Sequence, residues 1–170
     1  MTAEWAVLLL LSLLAVLNSA AVIALMRQRI SAERPAPAPY GPTPGTGLDV
    51  GVPVESLSAG ADRVLFGFIS PQCGHCRVML AEFVRVSARV RVVLVSAADP
   101  AEMRAHLAAH DVDLPLVTGP GVFDANDVPG PPYAVVTDGR GIVLAQGGAS
   151  RPEQLEELLS RADALRPPAT

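Results

Sequence analysis

A chain of 170 residues is long enough for one domain of ordinary size and a small addition to it. The net charge is −4, lysine is absent and arginine carries all the positive charge, so there is no basic stripe to neutralise phosphates and no nucleic-acid partner is expected. The two cysteines are separated by two residues, which excludes a multi-bridge disulfide scaffold and leaves either one local, exchangeable disulfide or a pair that binds something with outside help.

The first element in chain order is Trp5 to Met26, 22 residues without a charge. As a helix it would extend about 33 Å, against a bilayer core of roughly 30 Å. A buried core helix and a cleaved signal peptide are the alternatives. Only Glu4 and no arginine precede the run, so the positively charged start of a signal peptide is missing. The reading is a single transmembrane helix over 5–26, with the lipid bilayer as a partner. Arg27, Arg29 and Arg34 come after the span and argue, by the positive-inside rule, for a cytoplasmic domain.

Residues 27–51 read as a Pro/Gly-rich linker. Pro35, Pro37 and Pro39 favour extended polyproline II, and Gly41, Gly45 and Gly47 loosen the second half of the segment. A compact domain is expected over 52–166, with a short tail at 167–170. Within residues 48–166, 15 acidic residues face 10 arginines, so the domain itself is acidic.

Val64 to Ile69 is a short apolar run of the kind a strand buried on both faces requires. Ser70-Pro71-Gln72 ends it, and a helix begins at Cys73, with Val78, Met79, Phe83 and Val86 at helical spacing. Val90 to Val95 is the next strand. Pro100 suits the first turn of a second helix through about Ala109, capped by Asp99. Tyr133 to Thr137 and Ile142 to Ala145, joined through Asp138-Gly139, form a hairpin. Arg151 to Leu165 closes the chain as a helix with Ser150 as its cap and one leucine-rich stripe. A strand–helix–strand–helix unit, then a hairpin and a helix, calls for an α/β architecture, a central sheet flanked by helices.

The chemistry is expected at Cys73-Gly74-His75-Cys76. A cysteine where a strand gives way to a helix meets unpaired backbone N–H groups and the positive helix end, both of which stabilise a thiolate. Cys76, one turn on, is close enough to close a disulfide, and a protonated His75 between them favours the thiolate. The Cys73 thiolate would attack a disulfide, form a mixed disulfide and be released by Cys76. The rival is a metal site: zinc needs four ligands, which Cys73, Cys76 and His75 do not supply, although His106 and His110 lie four apart on one helix. No metal and no cofactor are expected. Val128-Pro129-Gly130-Pro131-Pro132-Tyr133 adds a rigid, bent entry to the hairpin in which any X–Pro bond could be cis.

From about Val50 to Leu165 the chain resembles the thioredoxin superfamily. Phe68-Ile69-Ser70-Pro71-Gln72-Cys73-Gly74-His75-Cys76 looks like the active-site signature of membrane-anchored redoxins grouped with the methylamine-utilisation protein MauD, and more distantly of the TlpA/ResA type; Arg27-Gln28 and Pro53 also look similar. The resemblance implies a thioredoxin fold behind the transmembrane helix. Cys73 would be the exposed nucleophile and Cys76 the resolving thiol, with Gly74 and His75 tuning them. Pro132 would be the cis-proline against the disulfide, and Pro131 would touch the substrate backbone. Cys-Gly-His-Cys is similar to the motif of protein disulfide isomerases, which are more oxidising than thioredoxins, at about −180 mV against about −270 mV, and this tilts the reading toward oxidase or isomerase work.

Three positions depart from the pattern. Gln72 stands where a tryptophan is common, Gly67 where the buried acidic residue falls, and Ala81 where a proline often kinks the helix. The resemblance also implies an extracytoplasmic domain, against the arginines after the span. The resulting expectation is a membrane-tethered thiol–disulfide oxidoreductase acting on exported proteins, with protein thiol or disulfide clients and a recharging redox partner. A copper- or cytochrome-maturation accessory using the same cysteines and a non-catalytic tethered adaptor are the alternatives.

Overall fold

The computed structural model describes residues 13–16, 18, 19, 22 and 40–165. Of the N-terminal apolar run, Leu13, Leu14, Val16 and Val22 are helical and exposed, and the rest of 5–26 lies outside the described residues.

The transmembrane expectation is corrected here. No helix among the described residues is long and apolar enough to cross a membrane. A crossing takes about 20 consecutive apolar residues, and the longest described helices have 13. The single-pass membrane location, the bilayer as a partner and the extracytoplasmic side expected for the domain lose their support with it. Tethering therefore plays no part in the function proposed for the domain.

The domain contains α1 (Val54–Ser58), β1 (Arg63–Phe68), α2 (Gly74–Val86), β2 (Arg91–Ser96), α3 (Pro100–Ala108), β3 (Leu116–Thr118), a 3-10 turn (Asp124–Asn126), β4 (Tyr133–Asp138), β5 (Val143–Gly148) and α4 (Pro152–Ala164). The sheet order is β3-β2-β1-β4-β5. β1 pairs parallel with β2 and β2 with β3, whereas β4 runs antiparallel to both β1 and β5. This is the mixed sheet flanked by helices of a thioredoxin fold.

β1 is buried from Val64 to Phe68 and β2 from Val92 to Ser96, as continuous apolar runs in a central parallel pair should be. Side chains on opposite faces of the sheet feed two cores. On one face Leu65, Leu94 and Val136 meet α2, α3 and α4 through Met79, Phe83, Met103, Leu155 and Leu158. Two successive parallel crossovers of the same hand, both stepping toward the β3 edge, place α2 and α3 on that one face. On the other face Val64, Phe66, Val93 and Val135 meet Leu48, Val50, Val54, Val122 and Val128. Each fully buried Leu, Met or Phe contributes about 1.5–3 kcal/mol by leaving water, so both faces hold the sheet firmly enough to present a fixed loop at its end.

Helix entry obeys local chemistry. Asp99 Oδ1 accepts from the backbone N–H of Ala101 and Glu102, at 2.8 and 3.1 Å, and Pro100 takes the first helical position. Ser150 is not the cap of α4. Arg151 holds that place, and Gln154 Oε1 accepts from the N–H groups of Ser150 and Arg151. Three elements had no sequence counterpart, the five-residue α1, the three-residue edge strand β3 and the 3-10 turn at Asp124–Asn126.

Candidate functional site

Strand β1 delivers the chain to Ser70, and the turn through Pro71 and Gln72 sets Cys73 as the N-cap of α2. Its backbone is extended there, with φ −88° and ψ 110°, so the side chain folds back over the first helical turn. Cys73 Sγ accepts from the N–H of Cys76 at 3.1 Å. This is one of the donors that a helix start leaves unpaired, and it faces sulfur just where negative charge would develop. The Cys73 thiol also donates to Pro131 O at 3.6 Å. The two sulfurs are not bonded to each other.

The two sulfurs differ in access. Cys73 is half-buried, whereas Cys76 is 1% exposed and joins the core with Met79 and Leu80. Burial pushes the Cys76 thiol up to about 12, the hydrogen bond with Cys73 adds to the rise, and a backbone hydrogen bond at Ser70 opposes it. One thiol is therefore reachable and the other is held protonated beneath it. Gly74 and His75 are exposed, and a Cβ at Gly74 would meet nothing within 4 Å.

Gly67 explains how the core fills the place of the missing buried acid. A Cβ there would lie 2.8 Å from Phe83 Cε1 and 3.2 Å from Leu94 Cδ2. The Phe83 ring occupies that space, and an acidic side chain could enter only by displacing it. The peptide bond Pro131–Pro132 is cis, Pro131 is exposed and Pro132 half-buried beside the cysteines' end of the sheet.

The fold also brings together residues that lie far apart in sequence. Gln72 Nε2 donates to Glu102 Oε1 at 2.6 Å, and Ser70 Oγ donates to Gln72 Oε1 at 2.7 Å. Glu102 belongs to the first turn of α3, 30 residues from Gln72, and no local signal could have linked the two. His106 and His110 stack edge to face at 4.9 Å. Burial lowers the His106 pKa, with His110 and Arg77 adding to the effect. Among the described residues no three His, Cys, Asp or Glu side chains are placed to hold a metal ion.

No family model and no curated protein matches the chain. Solved structures do. A Chlorobium tepidum structure described as a thiol:disulfide interchange protein DsbE is 21% identical, with a TM-score of 0.62 over 72% of this chain and 97% of that one. A secreted Mycobacterium tuberculosis disulfide oxidoreductase homologous to E. coli DsbE is 20% identical, with a TM-score of 0.51 over 65% and 85%. The MTB protein DsbF is 20% identical, with a TM-score of 0.51 over 66% and 85%. The placement among membrane-anchored MauD-like redoxins is corrected, because no helix among the described residues is long and apolar enough to cross a membrane and the likeness to solved structures reaches the thioredoxin fold and no subgroup within it. At these identities the likeness establishes the architecture, and the chain has a thioredoxin fold.

Proposed function

We propose that this chain is a thiol–disulfide oxidoreductase in which Cys73 is the nucleophile and Cys76 the resolving thiol. A thioredoxin fold with a close cysteine pair supports oxidoreductase-type chemistry at the level of the superfamily. The observation that carries the reading is the asymmetry of the pair: a reachable Cys73 sulfur accepting a helix-start N–H at 3.1 Å, over a Cys76 thiol pushed up to about 12.

In the reducing direction the Cys73 thiolate attacks one sulfur of a substrate disulfide. That S–S bond breaks, the distal sulfur leaves as a thiolate and takes a proton, and Cys73 is left in a mixed disulfide. Cys76 then loses its proton and attacks the Cys73 sulfur, releasing the second substrate thiol. Two electrons have passed from the dithiol to the substrate, and a Cys73–Cys76 disulfide remains for a dithiol donor to reduce. Run backwards, the same steps oxidise a substrate dithiol.

The test is trapping with a peptide disulfide. Cys76→Ser should accumulate a mixed disulfide at Cys73, visible by intact mass and released by dithiothreitol. Cys73→Ser should form no such adduct and lose turnover by at least about a hundredfold. An adduct at Cys76 in Cys73→Ser, with turnover kept, would assign the roles the other way round.

A further inference from the structure

Beside the nucleophile runs a groove of roughly 380 Å³, formed where β1 and β2 end. Ile69 and Phe123 give it an apolar floor, Ala97 and Ala98 one side, and Gln72 with Glu102 the rim. Phe123 is held edge-on against Phe68 at 5.4 Å, which fixes the floor. Pro131 lines the groove, and its carbonyl is the group that the Cys73 thiol reaches at 3.6 Å, so groove and sulfur adjoin.

Glu102 is the one charged residue among those that line it. Its Oε1 accepts from the neutral amide of Gln72, which is itself fixed from behind by Ser70. No ion pair within 4.0 Å engages Glu102 among the described residues. His106, one turn along α3, feels the Glu102 charge, but burial, His110 and Arg77 outweigh it and lower the His106 pKa. Arg77 lines a different cleft, with His110 and Asp111.

An apolar trough ending in one uncompensated carboxylate suits a side chain with an aliphatic stem and a cationic head, which keeps its stem on the floor and its charge at the rim. We infer that the groove receives a basic side chain, arginine or lysine, next to the cysteine of a peptide or protein disulfide, and that Glu102 determines this specificity. This rests on the oxidoreductase reading and adds the substrate class to it. Glu102 takes no part in bond exchange; it acts by favouring the encounter that sets the substrate sulfur on Cys73.

The experiment uses the full chain, reduced, and three peptides of the form Ala-Xaa-Cys-Xaa-Ala with Xaa arginine, glutamine or glutamate. Each cysteine is capped as a mixed disulfide with thionitrobenzoate. Attack by Cys73 on the peptide sulfur expels thionitrobenzoate, whose absorbance gives the second-order rate; Cys76 then releases the peptide thiol. An exposed charge pair supports a preference for arginine over glutamine of about two- to five-fold at low salt, shrinking toward unity at 1 M salt. The arginine-to-glutamate ratio should collapse in Glu102→Gln and invert in Glu102→Arg. Equal rates for the three peptides, or a preference that survives Glu102→Gln, overturns the inference and leaves the oxidoreductase reading standing. Failure to expel thionitrobenzoate from any peptide overturns both.

Discussion

The two cysteines lie three positions apart in sequence and in very different chemical surroundings. Cys73 holds its sulfur where a helix start offers an N–H, while Cys76 faces a core with no acidic side chain, because Phe83 fills the space opposite Gly67. Burial is the largest cause of the Cys76 shift, from 9.0 to about 12, ahead of the hydrogen bond with Cys73. The sign is direct. A raised thiol pKa keeps the proton on, so the attacking thiolate is scarce at neutral pH and increases tenfold with each unit of pH. When thionitrobenzoate is first loaded on Cys73, its release by Cys76 should accelerate about tenfold per unit between pH 7 and 9. The plateau should lie above pH 9; stopped-flow absorbance would show it, and levelling off below pH 9 would mean that Cys76 is not shielded as described. The cysteine pair was legible in the sequence because its motif is local, and so was the absence of an acid at Gly67. What occupies that space was not legible, since Phe83 is brought there by the packing of α2 on β1. Glu102 was invisible for the same reason, being adjacent to Gln72 only once α3 is folded back across the sheet.

At the scale of elements, legibility tracked the strength of the local signal. The two central strands, three main helices and the hairpin announce themselves through apolar periodicity and punctuation by Pro, Gly and Asp. β3 has three residues, all half-buried, and its pairing is made by β2 rather than by its own pattern. The Asp99-Pro100 start of α3 is the clearest case of a local rule deciding structure, and it also fixes Glu102, whose N–H is one of the two that Asp99 accepts from. Removing that cap in Asp99→Ala should cost about 1 kcal/mol, within the 0.5–2 kcal/mol that such losses span. Urea unfolding monitored by circular dichroism would read this as a lowered midpoint at unchanged slope. An unchanged midpoint would mean that packing of Met103 and Leu107, and not the cap, sets where α3 begins.

At the scale of the whole domain, composition understates how much of the proline- and glycine-rich segment is structural. Residues 40–48 run along β5 as a strap. Gly45 donates to Val143 O at 2.8 Å, Val143 donates to Thr46 O at 2.9 Å, and Leu48 donates to Gly141 O at 2.9 Å. The strap covers an edge that would otherwise present unpaired backbone groups to other chains. Its far end is anchored by Tyr133, whose hydroxyl donates to Tyr40 O and also contacts Gln146. Burial pushes that hydroxyl up to about 12, so it remains a donor across the neutral range. Glycine is needed at two points of the strap for different reasons, and the difference makes a test. Gly45 has φ +90° and open space around it, so Gly45→Ala should cost only the backbone penalty of a left-handed position, about 1–2 kcal/mol. Gly41 has φ +102°, and a Cβ there would lie 2.7 Å from Tyr133 Cζ and 3.0 Å from Gln146 Oε1. Gly41→Ala therefore adds a steric cost of about 1–3 kcal/mol to the same backbone penalty. Tyr133 cannot retreat, because it is buried on β4 directly after Pro132, so the clash must be relieved by lifting the strap. Paired urea titrations should place Gly41→Ala well below Gly45→Ala in stability. The Gly41→Ala protein should also show faster amide exchange in β5, where the strap's hydrogen bonds end. Equal losses in the two variants would mean that Tyr133 does not anchor the strap and that the backbone hydrogen bonds of Gly45, Thr46 and Leu48 hold it instead.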